Sequence, residues 1–316
     1  MSIAILGGGA FGTALALALS KNGSPVSLWT RDHQDAATMQ ATRTSGRALP
    51  GIALPDNLSV VTQVPKADIC LIAVPAQSVR GFLTTHASAL SDSALISCAK
   101  GVELGTGLGP VDVIKSLLPD APAGCLTGPS FAVDIANGLP TALVLAMPGE
   151  TEAIQAALNR PTLRIYRTND VIGAQLGGAL KNIVALAAGI AIGAGLGDSA
   201  RASVIARGFA EMTRYARLKG AETETIKGLS GLGDLVLTCT SDKSRNFAAG
   251  KLLGSGAPLD PSITVEGIAT AQAVAAEAKA TGADLPLTSA VAAVTQGKLD
   301  IATAIETLLA RPPGKE

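Results

Sequence analysis

Two lysines and an aspartate are the residues of this chain best suited to proton chemistry. Lys181 sits in Leu176-Gly177-Gly178-Ala179-Leu180-Lys181-Asn182 and opens the most apolar run of the sequence. A lysine seldom begins such a run unless a partner or a substrate needs it. Partial burial disfavours the ammonium and lowers its pKa, which suits a proton shuttle near neutral pH. A lysine snorkelling from the edge of a core helix satisfies the same periodicity equally well. Lys100, in Cys98-Ala99-Lys100-Gly101-Val102-Glu103, follows a strand-like run, as does Gly128-Pro129-Ser130-Phe131-Ala132, which offers backbone N–H groups and a hydroxyl. Asp234 lies in Gly231-Leu232-Gly233-Asp234-Leu235, shortly before Ser244-Arg245-Asn246, a triplet suited to an anion. Each stretch taken singly also reads as an ordinary loop.

The start of the chain is more specific. Gly7, Gly9 and Gly12 in Leu6-Gly7-Gly8-Gly9-Ala10-Phe11-Gly12 form G-x-G-x-x-G between an apolar run and a helical one. Gly7 permits the tight turn, Gly9 lets backbone approach a pyrophosphate, and Gly12 lets helix and strand pack closely. The helix N-terminus then offers its unpaired N–H groups to the anion. About twenty residues on, where an acidic side chain would favour the free ribose hydroxyls of NAD, the sequence has Leu28-Trp29-Thr30-Arg31-Asp32. Arg31 there suits a 2′-phosphate and so favours or tolerates NADP; a solvated arginine after a strand is the plainer reading. Asp32 is placed at the start of the next helix. Ala73-Val74-Pro75-Ala76-Gln77 is expected over the cofactor, at the carboxyl edge of the sheet.

The elements that position these residues follow from the pattern. Strand-like runs occur at 3–6, 26–29, 58–62, 69–74, 94–98, 125–127, 141–146 and 163–167. Helical stretches fall between several of them, at 10–21, 32–42, 76–87, 110–118, 131–136 and 150–158. Apolar strands alternating with helices predict an α/β, Rossmann-type, doubly wound and mostly parallel sheet. Beyond residue 170 the strand signal stops and long Ala/Leu/Ile stretches take over, at 171–195, 200–218, 269–280 and 302–310. The boundary is placed at Thr168-Asn169-Asp170, where Asn or Asp can cap a helix. This gives a dinucleotide-binding domain over 1–170 and an all-α substrate and catalytic domain over 171–316. At 316 residues the chain is about twice the roughly 100–200 typical of one domain, which agrees with two.

Composition narrows the function classes. Lys plus Arg (25) equals Asp plus Glu (25), which argues against a broad basic field for nucleic acid and leaves room only for a local basic pocket. Aromatics are 3% of the chain, which argues against stacking platforms, whereas 35 glycines point to close helix packing and backbone-lined sites. The two histidines, His33 and His86, lack metal-site spacing, and no metal is expected. Cys70, Cys98, Cys125 and Cys239 show no C-x-x-C, and the first three lie in buried-strand patterns. They read as core thiols of a reducing compartment. The first residues run straight into a strand without a charged leader. The uncharged stretch 182–197 is short and glycine-rich for a membrane-spanning helix, so a cytoplasmic protein without membrane insertion is expected. The tail 311–316 is expected to fray.

In order, GGGAFGTALA, LWTRD, AVPAQ, CAKGVE, GPSFA, LGGALKN, GLGDLVLTCTSDKSRNF and TVEG run from residue 5 to about 267. Together they resemble the bacterial type of the NAD(P)-dependent glycerol-3-phosphate dehydrogenase family. The resemblance implies interconversion of dihydroxyacetone phosphate and sn-glycerol 3-phosphate with NAD or NADP, feeding glycerophospholipid synthesis, on a small phosphorylated three-carbon substrate. It implies Lys181 as the catalytic lysine and Lys100, Gly128, Ser130, Asp234, Ser244, Arg245 and Asn246 as substrate contacts. Lys100, Ala132, Arg245 and Glu266 (in VEG) would also touch the cofactor. Ala10 and Phe11 fill the variable places of the glycine turn, where backbone contacts carry over. The chemistry of the residues agrees: hydride transfer to a ketone must be coupled to a proton, and with neither histidine near the lysine, GLGDL or Ser-Arg-Asn motifs a lysine is the natural acid–base. Two rival readings fit parts of the same pattern. One is a dehydrogenase of the same architecture acting on a 3-hydroxyacid or ketopantoate, which has no motif of its own here. The other is a non-catalytic NAD(P) sensor, which needs no proton shuttle. The small-residue helices can pack internally or across a homodimer, and the sequence does not decide between these.

Overall fold

The computed structural model describes residues 1–310 other than 22 and 47, so the expected fraying of 311–316 lies outside the described residues. The first part alternates as anticipated: β1 (Ile3–Leu6), α1 (Ala10–Ser20), β2 (Val26–Trp29), α2 (His33–Thr42), β3 (Leu58–Val61), β4 (Ile69–Ile72) and α3 (Val79–Leu90). It continues through β5 (Ala94–Ser97), α4 (Pro110–Leu117), β6 (Ala123–Thr127), α5 (Ala132–Ala136), β7 (Thr141–Ala146), α6 (Glu152–Leu158) and β8 (Leu163–Thr168). The strands form one sheet in the order β3-β2-β1-β4-β5-β6-β7-β8. Every pair is parallel except β6–β7, so the sheet is mostly parallel as expected. Strand order reverses direction between β1 and β4, which opens a crevice at their carboxyl ends.

β4 ends at Ile72, two residues before the predicted 74, and the segment after it does not enter an α-helix at once. Pro75 is extended and Ala76–Ser78 make a 3₁₀ turn before α3 begins. Proline lacks the N–H that a continuing strand would donate, so it turns the chain out of the sheet at its ligand edge.

From Val171 onward the described residues form helices only: α7 (Val171–Gly193), α8 (Gly197–Leu218), α9 (Thr223–Lys227), α10 (Asp234–Cys239), α11 (Arg245–Gly254), α12 (Glu266–Thr281), α13 (Pro286–Thr295) and α14 (Ile301–Leu309). Asp170 caps α7 by accepting from the Gly173 N–H at 2.8 Å. A single π turn, Leu229–Gly233, joins α9 to α10. α7 is long and apolar enough to cross a membrane by length and composition. The sequence estimate of a short stretch counted only from residue 182 and missed the eleven residues of helix before it. Of its most apolar window 83% is buried inside the protein, which makes it the central core helix of this region.

Separate hydrophobic clusters cover the two faces of the sheet, and a third surrounds α7. The partner that holds α7 most closely is α11. A Cβ placed on Gly189 would overlap the Phe247 carbonyl, and one on Gly250 would overlap the Leu186 carbonyl. The two helices therefore meet backbone to backbone, as the glycine content anticipated. This contact fixes where the start of α11, and with it Ser244-Arg245-Asn246, lies relative to Lys181. Gly250→Ala should lower stability by about 1–3 kcal/mol, the usual cost of overpacking a core, measured as a drop in thermal midpoint. An unchanged midpoint would mean that the helices can separate at no cost.

Candidate active site

The glycine turn is built as its spacing requires. Gly7 has φ +142°, and a Cβ on it would lie 2.5 Å from the Ala73 carbonyl oxygen. A Cβ on Gly12 would overlap the Gly7 carbonyl, so α1 lies directly against the turn. Gly9, by contrast, is exposed, and a Cβ there would meet no protein atom within 4 Å. It opens into a cleft of about 700 Å³ that is also lined by Ala10 and Phe11. The turn after β4 forms the adjoining wall. There the Ala76 N–H donates to Glu266 Oε1 at 3.2 Å, tying that turn to the first residue of α12. Burial raises the Glu266 carboxyl above the usual carboxylate range, while the Ala76 N–H and the charge of Arg245 draw it back down.

The two lysines line the same cleft. Lys181 lies in the second half of the third turn of α7 and is only 7% exposed. Its Nζ donates to Thr238 Oγ1 at 2.8 Å and pairs with Asp234 Oδ1 at 3.2 Å. Lys100 Nζ pairs with the other carboxylate oxygen, Asp234 Oδ2, at 2.6 Å and donates to the Gly128 carbonyl at 2.9 Å. Thr238, one turn after Asp234 in α10, donates its hydroxyl to Asp234 Oδ1 at 3.2 Å. One buried carboxylate thus lies between two ammonium groups. Burial pulls the Lys181 ammonium down to about 8, with Asp234 opposing the fall and Lys100 adding to it. The Lys181 side chain is buried, paired with a carboxylate and at the wall of a cleft, so it does not snorkel to the surface.

An asparagine chain supports this arrangement. Asn246 Oδ1 accepts from the Gly267 N–H at 2.9 Å, and its Nδ2 donates to Asn182 Oδ1 at 2.9 Å. Asn182 Nδ2 in turn donates to the Lys100 carbonyl at 3.2 Å. The segment after β5, the middle of α7 and the starts of α11 and α12 are therefore cross-braced at the cleft. Ser244 caps α11 by accepting from the Phe247 N–H at 3.2 Å, and the Ser130 hydroxyl donates to the Gly128 carbonyl at 3.2 Å.

Gly9, Ala10, Phe11, Lys100, Ser130, Ala132, Lys181, Ser244, Arg245, Asn246 and Glu266 all line the one cleft. Gly7 and Gly12 lie buried beneath it, Gly128 contributes its carbonyl, and Asp234, 1% exposed, stands behind the two lysines. Arg31 is exposed just past the end of β2 and outside the lining, while Asp32 caps α2 with bonds from the Gln34 and Asp35 N–H groups. Sequence reasoning missed Asn182, Thr238 and Lys243, which also line the cleft. Thr238 was legible in principle, since it stands four residues after Asp234 on a helical face. All four cysteines are buried and unpaired. Burial pushes the thiols of Cys98, which feels the charge of Lys100, and Cys239, which feels that of Lys181, up to about 12, so both favour the protonated form.

The model of the NAD-dependent glycerol-3-phosphate dehydrogenase N-terminus matches residues 2–153, and that of the C-terminus matches residues 170–306. This chain belongs to the NAD-dependent glycerol-3-phosphate dehydrogenase family. It is 53% identical to the glycerol-3-phosphate dehydrogenase [NAD(P)+] of Ruegeria sp. (strain TM1040), with 100% of both chains covered. It is 52% identical to that of Roseobacter denitrificans, over 98% of each. Among solved structures, the glycerol-3-phosphate dehydrogenase of Coxiella burnetii superposes with a TM-score of 0.92 at 35% identity, covering 98% of this chain and 99% of that one. As a member of the glycerol-3-phosphate dehydrogenase family the chain is an NAD(P)-dependent oxidoreductase. Its open space above Gly9 and the first-turn N–H groups of α1 fit the pyrophosphate of such a dinucleotide, since no side chain stands between that backbone and the cleft.

Proposed function

We propose that this protein interconverts dihydroxyacetone phosphate and sn-glycerol 3-phosphate in the cytoplasm, feeding glycerophospholipid synthesis, with Lys181 as the acid–base. The observation that carries the reading is the pair of lysines sharing one buried carboxylate in the cleft that the glycine turn also lines. When bound, the reduced nicotinamide supplies the hydride that the ketone carbon receives. Protonated Lys181 donates a hydrogen bond to the ketone oxygen and gives up its proton as that oxygen becomes an alcohol. In the reverse direction neutral Lys181 takes the hydroxyl proton. Asp234 keeps both ammonium groups from repelling each other, and Thr238 fixes the direction in which the Lys181 Nζ points.

Division of labour follows the chain boundary near residue 170. Residues 1–170 hold the dinucleotide through Gly7, Gly9, Ala10, Phe11 and Gly12, with Ala132 and, from beyond the boundary, Glu266 and Arg245 completing that wall. Arg31, exposed past β2, is the group available to a 2′-phosphate, so NADP is accepted alongside NAD. Lys100, Gly128 and Ser130 orient the three-carbon unit, while Ser244, Arg245 and Asn246 take its phosphate. Binding that remote phosphate is used to hold the carbonyl in place for reaction. Four buried, unpaired thiols agree with a reducing compartment.

Consumption of NADH and of NADPH with dihydroxyacetone phosphate, dihydroxyacetone and ketopantoate tests the reading. Efficient turnover of dihydroxyacetone phosphate alone is the expected result; turnover of ketopantoate instead would overturn it. Arg245→Ala should reduce kcat/KM for dihydroxyacetone phosphate about 30- to 100-fold, as expected for losing a charge-assisted phosphate contact, and reduce that for dihydroxyacetone far less. Equal losses on both ketones would remove its phosphate role.

A further inference from the structure

Immediately before the Ser-Arg-Asn triplet, Lys243 lines the same cleft, and the reaction as set out above gives it no part. Its Nζ donates to Asp134 Oδ1, on α5, at 2.9 Å and lies 5.7 Å from the centre of the Phe131 ring. This contact joins the turn ahead of α11 to the segment after β6, two stretches 109 residues apart, at the edge of the cleft. The pair is loosely held: the Lys243 side chain is 54% exposed and that of Asp134 27%. Exposed pairs of this kind are weak, and the lysine stem is flexible, so the ammonium can change partners at little cost.

The charges around it give a reason for such a change. Asp234 is already shared by Lys100 and Lys181, and Arg245 interacts with Glu266. A phosphate monoester carries a charge of about −1.5 to −2 at pH 7. Arg245 supplies a single positive charge and leaves the phosphate under-neutralised. Lys243 is the next residue along the cleft with a cation to offer, and Asp134, once released, still reaches water.

We infer that Lys243 is an exchangeable phosphate ligand, held by Asp134 in the empty cleft and transferred to the phosphate of the bound substrate. The inference rests on the phosphorylated three-carbon substrate proposed above. Asp134 is then a competitor for the same ammonium, and its removal strengthens substrate binding. A latch that merely joins the two walls behaves differently, because loss of either partner opens it.

Steady-state kinetics of the wild type, Lys243→Gln, Asp134→Asn and the double variant separate these. Dihydroxyacetone phosphate and dihydroxyacetone serve as substrates, and inorganic phosphate as competing inhibitor. For Lys243→Gln, KM for dihydroxyacetone phosphate and Ki for inorganic phosphate should both rise about five- to tenfold, with kcat changed less than about twofold, since a ground-state contact to a screened charge is lost. Asp134→Asn should lower the same KM about two- to fivefold, because the competing charge is gone. The double variant should match Lys243→Gln. If both single variants raise KM, or if dihydroxyacetone suffers as much as its phosphate ester, the exchange is overturned. A wild type that does not prefer the phosphate ester would instead overturn the substrate assignment itself.

Discussion

Substituting alanine for Lys181 should lower kcat by roughly 10²–10⁴, the range of a lost general acid–base, while the affinity for NADH or NADPH stays close to that of the wild type. The two effects separate because Lys181 lies on α7, far along the chain from the glycine turn. The fold should survive the change. Asp234 remains paired with Lys100 at 2.6 Å, so removing the other ammonium leaves no buried carboxylate unmatched. Steady-state turnover and cofactor titration on the same preparation check both halves of this expectation. Near-normal turnover would take Lys181 out of the proposed mechanism.

Asp234→Asn acts on the same group from the other side and should be nearly as damaging. The carboxylate is 1% exposed and is the counter-charge of both lysines. Removing one member of a buried ion pair costs about 3–5 kcal/mol, because the remaining charge is left without compensation. Lys181 should respond by losing its proton more easily. Its ammonium is already pulled down to about 8 by burial, and Asp234 is the group that opposes this fall. In the wild type, ketone reduction needs protonated Lys181 and so should decline as pH rises through about 8, whereas alcohol oxidation should rise over the same range. In Asp234→Asn both limbs should move to lower pH, and reduction near neutral pH should fall about 10²-fold or more. pH–rate profiles in both directions provide the measurement. A limb that stays in place would show that Asp234 does not set the charge of Lys181.

What the sequence determined by itself is what short-range physics decides. Gly7, Gly9 and Gly12 specify their turn because the backbone there has no room for a Cβ at the first and third positions and needs none at the second. Asp170 caps α7, and the eight apolar runs become the eight strands, because capping bonds and strand periodicity act within a few residues. The ordered motifs also indicated the family, since each is a continuous stretch. Tertiary structure alone decided how the site is assembled. Lys100 and Asp234 are 134 residues apart, and nothing local records that one carboxylate serves two lysines. Asn182, Asn246 and the Lys100 carbonyl form a brace that no single motif contains, and Lys243 reaches Asp134 only because two distant segments fold together. Even the reading of α7 needed its surroundings: its apolar composition fits a membrane as well as a core, and the helices packed around it decide for the core. Such pairings depend on where α7 packs against β6 and α11, and that packing minimises the free energy of the whole chain rather than of any one segment.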